Sequence, residues 1–380
     1  MLLDSDVQQY RDIASGNISA VVAPFSSRAL IPLAVGFLSR SFGFSIDVGF
    51  AIVAVASFFI FTMSILDITR RRAVQGRLYL TLLLMSSPLM QFVVADMPDP
   101  VSAALIAASL ALLAAERVAP AAMLAGAAIA VREANLVFLV AVAIFFVAER
   151  RWLPLILALL VGGAAFLLTR VFGSWGAPNV HFMSPTLYMA LKIPVNFFAQ
   201  VLGFPLWTDG FSWCEPPIMT ASLPSILPTG NIHAIGLCSW QPEIPLRNLA
   251  ILLSVFGILP SIFFVARHGL RTTNDRWLKL VALYGLCMIV LGLCSGWTVG
   301  RLVSYGWPLF GICLPIIWSQ RIGKPIPAIG LLPQVLIFPI YLMLMTGGIP
   351  SNVGILGTVI FGLFAMQIFS SRLWGRAARN

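Results

Sequence analysis

The stretch VVADMPDPVSAALIAASLALLAA, residues 93–115, places two carboxylates at the head of a long apolar run. Asp96 and Asp99 precede the run, and Pro100 stands where a helix is expected to begin. An apolar run of about 20 residues is long enough to cross a bilayer. The stretch therefore predicts a membrane helix with charge at its start, and ionisable groups at a membrane usually have a partner or a function.

The whole chain has the composition of a membrane protein. Of its 380 residues 59% are hydrophobic and only 10% are charged, whereas soluble domains have about 25% charged residues. We therefore expect an all-α, multi-pass integral protein of the bacterial inner membrane, forming a single polytopic domain over 1–380, with the lipid bilayer as its surroundings. The net charge of +10 does not indicate a nucleic-acid partner, because the basic residues fall in short loops.

About eleven apolar stretches have the length and composition of membrane spans. They are 46–67, 78–95, 100–115, 118–131, 135–148, 153–171, 246–266, 277–295, 302–318, 326–345 and 352–370.

Basic residues fix the predicted orientation of these spans. Of the 24 lysines and arginines, 16 fall in loops on one side, which the positive-inside rule assigns to the cytoplasm together with the C-terminus. They are Arg70, Arg71, Arg72, Arg77, Arg117, Arg150, Arg151, Arg267, Arg271, Arg276, Lys279, Arg321, Lys324, Arg372, Arg376 and Arg379.

Two longer segments are then predicted to lie outside: an acidic loop and interfacial segment over 1–45, and a periplasmic loop over 172–245. Within the second, 185–207 favours an interfacial amphipathic helix, with a buried span as the alternative, and the remainder favours an ordered non-helical loop. Cys214 and Cys238 in that loop are allowed to form a disulfide if the loop is periplasmic. An outside N-terminus requires either a translocated tail or a preceding membrane helix that this chain lacks, and we favour the second.

Ionisable groups on the predicted outer face lie mainly at helix ends. Asp99 suits helix capping, but Asp96 ends the incoming helix, where the dipole disfavours an anion. Arg301 opens a span and suits either a membrane anchor or, with the free N–H groups there, a phosphate site. Arg132 and Glu133, in AVREANLV (130–137), are expected to pair with other charges.

The N-terminal segment resembles the first outer loop of the GT-C glycosyltransferases, polytopic enzymes that use polyprenyl-phosphate-linked sugars. Their acidic motif often reads D-E-x-x-Y-x-x-I-A, and DVQQYRDIA (6–14) supplies Asp6, Tyr10, Ile13 and Ala14 at that spacing. Val7 replaces the second acid, a departure that bears on any metal role.

Two later motifs resemble the same family. MPDPVSAALIAASLALL matches the second outer turn through Pro98 and Asp99, and GRLVSYGWPLFGICLP matches a late outer helix through Arg301, Tyr305 and Pro308.

The resemblance, which spans about 1–318 and includes APFSSRALIPLAVGFLS (23–39), implies a function. Asp6 would be the general base, Arg301 and Tyr305 would bind the donor phosphate, and Asp96 and Asp99 would position the acceptor or a metal. The implied partners are a polyprenyl-phosphate-sugar donor and a glycan, lipid or protein acceptor in cell-surface glycopolymer assembly. No cofactor is certain, and a divalent cation, Mg²⁺ or Mn²⁺, is the candidate. Supporting roles fall to Arg132, Glu133 and His181.

Two other functions stay open at this point. One is a transporter or flippase for a lipid-linked or anionic substrate, which would place ionisable groups near the bilayer midplane in broken helices of related halves. The other is a non-catalytic scaffold of a polysaccharide machine, which would tolerate loss of Asp6 and Asp99.

Overall fold

The computed structural model describes residues 2–22, 25–72, 97–177, 193–208, 217–222, 233–256, 267, 274–294 and 303–322. These residues are mainly helical. The helices are α1 (Leu2–Ser15), α2 (Leu30–Phe42), α3 (Ile46–Arg71), α4 (Asp99–Ala114), α5 (Val118–Val131), α6 (Leu136–Ala148), α7 (Trp152–Trp175), α8 (Glu243–Phe256), α9 (Arg276–Leu293) and α10 (Leu314–Ile322). Short 3₁₀ and π turns lie at Ile18–Ala20, Ser26–Arg28, Glu133–Asn135, Phe197–Val201, Ser304–Gly306 and Leu309–Cys313.

Three of the described helices are long and apolar enough to cross a membrane: α3, α7 and α9, of 26, 24 and 18 residues. The shorter helices α2, α4, α5 and α6 are also apolar. Every described helix from α3 to α9 coincides with a predicted span within a few residues, although α8 is described only to Phe256. The predicted spans 78–95, 326–345 and 352–370 lie outside the described residues.

The chain divides into two compact units. The first comprises 1–178, 260–287 and 306–329, and the second comprises 179–259, 288–305 and 330–380. The first unit contains α1 to α7.

In the second unit, part of the predicted interfacial helix is helical, and the segment predicted as an ordered non-helical loop contains a small sheet. Residues 193–201 are helical, ending in the π turn, but three short strands follow: β1 (Leu206–Thr208), β2 (Met219–Ser222) and β3 (Ala234–Leu237). Both β1 and β2 pair antiparallel with β3, so the sheet order is β1-β3-β2. The described residues are therefore mainly helical, as expected, with one small sheet that the all-α prediction did not include. Cys238, which follows β3, is disulfide-bonded, while Cys214 lies outside the described residues.

Close helix packing in the first unit depends on small residues. A Cβ added at Gly126 of α5 would lie 2.7 Å from the Gly162 backbone nitrogen and 2.8 Å from the Ala158 carbonyl oxygen, both in α7. Small residues at such a crossing let two membrane helices approach closely and gain dispersion energy. The two small residues thus bring α5 and α7 into direct backbone contact.

The polar contacts of the first unit agree with the predicted grouping of its loops. Arg28 pairs with Glu133, and Arg132 pairs with Asp99, so segments predicted to lie outside contact one another. A second set joins segments predicted to lie inside: Arg72 with Asp275 and Arg276 with Glu149. Asp99 begins α4, whereas all four residues of the second set line one cavity with Glu116, which follows the end of α4. The two sets therefore occupy opposite ends of the unit, which we call the outer end and the inner end.

Candidate active site

The acidic motif of the N-terminal segment forms one face of helix α1. Tyr10 and Ile13 are completely buried and Ala14 is 1% exposed, while Asp6, one turn before Tyr10, is half-buried. The spacing of i, i+4, i+7 and i+8 places these four side chains on the same helix face. The segment predicted as an acidic loop is therefore helical here, and this face of it is part of the core.

Helix α1 packs directly against α2. A Cβ added at Gly36 of α2 would lie 1.9 Å from the Ala14 carbonyl oxygen. The same oxygen accepts a hydrogen bond from Arg40 Nη1 at 3.2 Å. Only glycine permits this approach of the two backbones, and the approach fixes the position of the helix that carries Asp6.

Arg28 joins three segments at the outer end. Its Nε and Nη2 donate to the two carboxylate oxygens of Glu133, the Nε bond being 2.8 Å long. Its Nη1 lies 3.4 Å from the Tyr10 hydroxyl, to which it donates. The planar guanidinium matches a carboxylate with two parallel bonds. Arg28 thereby connects the Ser26–Arg28 turn, the Glu133–Asn135 turn and the motif face of α1.

The Arg28–Glu133 pair is ionised. Burial alone would raise the pKa of Glu133, but the charge and hydrogen bonds of Arg28, with a smaller contribution from Arg132, lower it to about 2. Glu133 therefore does not exchange protons at neutral pH, and its role here is to hold Arg28.

Asp99 and Arg132 form a second ion pair, and both side chains are 4% exposed. The expected capping role of Asp99 was wrong: Pro98 occupies the cap position of α4, no side chain caps the helix there, and Asp99 is its first helical residue. Its Oδ1 instead accepts a hydrogen bond from Arg132 Nη1. The expectation that Arg132 and Glu133 pair with other charges is confirmed for both residues.

A buried amide completes the connection between α4 and the 133–135 turn. Asn135 and Ser102 exchange hydrogen bonds of 2.7 and 2.9 Å, and Asn135 Nδ2 also donates to the Ala128 carbonyl oxygen at 2.7 Å. Asn135 and Ser102 are both completely buried. Buried polar groups with satisfied partners specify a single arrangement of the surrounding helices, so this network positions both arginine–carboxylate pairs.

The structure thus brings four predicted site residues to one end of the first unit: Asp6, Asp99, Arg132 and Glu133. Tyr305 is completely buried in the Ser304–Gly306 turn, and its phosphate-binding role stays a prediction. The other predicted residues, Asp96, His181 and Arg301, lie outside the described residues.

Sequence reasoning missed Arg28 as a site residue. The available signal was a guanidinium in the otherwise apolar segment 23–39, a position where charge generally requires a partner. In the described part of the chain, no three His, Cys, Asp or Glu side chains are grouped in a way that could hold a metal ion.

No protein-family model matches the sequence, and no curated protein is significantly similar to it. Among solved structures, the crystal structure of ArnT from Cupriavidus metallidurans in the apo state is similar, with 15% sequence identity and a TM-score of 0.45. The alignment covers 98% of this chain and 72% of that chain. This degree of similarity is too low to assign a fold or an activity.

Proposed function

We propose that the chain transfers a sugar from a polyprenyl-phosphate donor to a hydroxyl acceptor at the outer face of a bacterial inner membrane. The single observation that supports this most is the arrangement of the acidic motif. Asp6 and Tyr10 share one face of α1, and the Tyr10 hydroxyl is held by Arg28. Tyr10 of the motif thus joins the network of Arg28 and Glu133, while Asp6 on the same face keeps partial access to solvent.

In the proposed reaction, the half-buried Asp6 carboxylate takes the proton from the acceptor hydroxyl. The acceptor oxygen attacks the anomeric carbon as the bond from that carbon to the phosphate oxygen breaks. Polyprenyl phosphate leaves with the bonding electrons, and the configuration at the anomeric carbon is inverted. Arg301, with Tyr305, would stabilise the charge that develops on the leaving phosphate.

Accessibility distinguishes the roles of the acids. Asp6 is half-buried, whereas Asp99 is buried and accepts a hydrogen bond from Arg132. We therefore assign Asp99 with Arg132 to positioning the outer-end segments, and leave Asp96 as the stronger candidate for contacting the acceptor or a divalent cation such as Mg²⁺ or Mn²⁺. Glu133 and His181 stay in supporting roles.

The function is tested with the purified chain in proteoliposomes. Polyprenyl-phosphate hexoses and pentoses are supplied as donors with envelope glycans, lipids or proteins as acceptors. The proposal expects transfer of sugar with release of one polyprenyl phosphate for each sugar transferred, and none from a nucleotide sugar alone. Movement of intact donor across the membrane without bond cleavage would contradict the proposal and support a flippase instead.

A further inference from the structure

The inner end of the first unit contains a cavity of about 380 Å³, within the usual size range of ligand pockets. Four helix junctions contribute to its wall: Arg72 after α3, Glu116 after α4, Arg151 before α7 and Asp275 before α9. It lies at the far end of α4 from Asp99 and is separate from the candidate active site.

Part of the cavity wall is made of charges that already have partners. Arg72 is paired with Asp275 and lies over the Trp277 ring, 4.5 Å from its centroid. The Trp277 Nε1 donates to the Leu110 carbonyl oxygen at 3.2 Å. Arg276 donates to Glu149 at 3.0 Å. The charges of this part of the wall therefore balance in pairs.

Two further charged residues line the cavity and, unlike the residues named above, are not in ion pairs within the described part of the chain. Neither the Glu116 side chain nor the Arg151 side chain has a hydrogen-bond or ion-pair partner in the structure that the described residues form. Both side chains are exposed. The cavity therefore presents one uncompensated carboxylate and one uncompensated guanidinium, a combination complementary to a ligand that carries both an anion and a cation.

The backbone at Glu116 supports a role for its side chain. Its φ is +60°, in the left-handed region where helix ends usually have glycine. The turn is closed by hydrogen bonds from the Glu116 and Arg117 amides to the carbonyl oxygens of Leu113 and Leu112, 3.1 and 2.8 Å long. A carboxylate is thus held at the cavity at a position where glycine would be less strained, a feature often found at functional sites.

The turn between α6 and α7 has the same construction. The amides of Arg150 and Arg151 donate to the carbonyl oxygens of Val147 and Phe146 at 3.0 and 2.9 Å, and Arg150 has a φ of +56°. Arg151 therefore corresponds to Arg117 of the first turn, and the two have similar backbone angles, with φ/ψ of −96°/77° and −83°/74°. Only Arg151 of this pair lines the cavity.

We infer that this cavity binds a headgroup carrying both an ammonium and a phosphate, with the ammonium at Glu116 and the phosphate at Arg151. A lipid is favoured as the source of this group. Trp152 and Leu153, which directly follow Arg151, are 57% and 78% exposed, and exposed tryptophan is typical of the membrane–water interface. Because only a primary ammonium can donate a hydrogen bond to the Glu116 carboxylate, we take phosphatidylethanolamine as the ligand.

Native mass spectrometry of the detergent-purified full chain tests this inference. Phosphatidylethanolamine is compared with phosphatidylglycerol, which lacks the cation, and with phosphatidylcholine, whose quaternary ammonium cannot donate hydrogen bonds. We expect phosphatidylethanolamine to bind about tenfold more tightly than either, since a charge-assisted hydrogen bond has an effect of that size. Equal binding of the three lipids would overturn the inference.

Three variants separate the two charges. Arg151→Gln should weaken the binding of phosphatidylethanolamine and of phosphatidylglycerol by the same factor, about tenfold. Glu116→Gln should remove the preference for phosphatidylethanolamine over phosphatidylglycerol. Arg117→Gln is the matched control, because it removes the corresponding arginine of the other turn, and it should leave binding unchanged. If Arg117→Gln weakens lipid binding as much as Arg151→Gln does, the lipids are attracted by general surface charge, and the proposed site is contradicted.

Soluble phosphoethanolamine distinguishes the source of the headgroup. We expect it to compete with the lipid only weakly, because it lacks the glycerol and acyl contacts at the interface. If it binds as tightly as phosphatidylethanolamine, the ligand is a soluble zwitterion and the lipid assignment is wrong.

Discussion

Arg28 and Glu133 lie 105 positions apart in the sequence and form a two-bond ion pair that also holds the Tyr10 hydroxyl. The Arg28 side chain is 10% exposed and that of Glu133 is 30% exposed. The pair therefore fixes the acidic-motif helix to the turn between α5 and α6. Its integrity should matter for the position of Asp6.

Removing one partner of this pair should destabilise the protein more than removing both. Arg28→Met leaves the Glu133 carboxylate unpaired and should cost up to about 3 kcal/mol, a figure reduced by the partial exposure of Glu133. Arg28→Met combined with Glu133→Leu should recover most of the loss. Thermal unfolding of the purified variants in one detergent provides the measurement, and a double variant no more stable than the single one would argue against a paired role.

Breaking the Asp99–Arg132 pair should destabilise the protein more than breaking the Arg28–Glu133 pair, because both of its side chains are only 4% exposed. Asp99→Asn leaves a buried guanidinium without its carboxylate and should cost roughly 3–5 kcal/mol. Sugar transfer should then fall mainly because less protein is folded. Specific activity per folded molecule, with folded protein quantified by size-exclusion chromatography, separates this from a catalytic role. A stable, fully folded Asp99→Asn protein with greatly reduced specific activity would contradict our assignment of Asp99 to positioning.

Gly36 should not tolerate a side chain. The added Cβ of Gly36→Ala would lie 1.9 Å from the Ala14 carbonyl oxygen, so α1 and α2 would have to separate, at a cost of more than about 2 kcal/mol. Gly163→Ala is the matched control, because an added Cβ there meets no atom of the described structure within 4 Å. Gly163 lies in α7, and alanine at this position should leave the stability of the protein unchanged or raise it slightly. Equal thermal unfolding temperatures for the two variants would show that the α1–α2 contact is not as close as described.

The outer and inner ends should differ in their access to an impermeant thiol reagent. Asn17 and Arg117 are both exposed and belong to the same compact unit. In intact cells, a cysteine introduced at position 17 should be labelled, and one introduced at position 117 should not. Labelling of the parent chain gives the background from its own cysteines. Labelling of position 117 alone would reverse the orientation inferred from the basic loops and place the candidate site on the cytoplasmic side.

Much of the helical framework follows from hydropathy alone. The predicted span 118–131 coincides with α5 (Val118–Val131), and 153–171 lies within α7 (Trp152–Trp175). Apolar length is a strong signal because the bilayer leaves few alternatives to a helix. The three strands were missed because each has only three or four residues, too few to show an alternating pattern.

The partners within the candidate site could be predicted only in kind. Sequence indicates that Arg132 and Glu133 need opposite charges, but not that Glu133 contacts Arg28 and Arg132 contacts Asp99. Those pairings depend on how three separate segments pack, which no local pattern encodes. The same limitation explains the error on Asp99, whose position at a helix start favoured capping while the tertiary structure supplied a buried arginine.

The most direct test of the proposed function compares Asp6→Asn with Asp12→Asn. Asp12 lies on the same helix but on a different face, where Gln8 Nε2 donates to it at 2.8 Å. Both substitutions keep size and hydrogen bonding, but only the first would remove the general base. The measurement is sugar transfer from a polyprenyl-phosphate donor in proteoliposomes, at equal amounts of folded protein. We predict that Asp6→Asn reduces transfer by roughly 10²-fold or more while Asp12→Asn stays close to the parent. Equal transfer by Asp6→Asn and the parent would contradict the assignment of Asp6 as the general base.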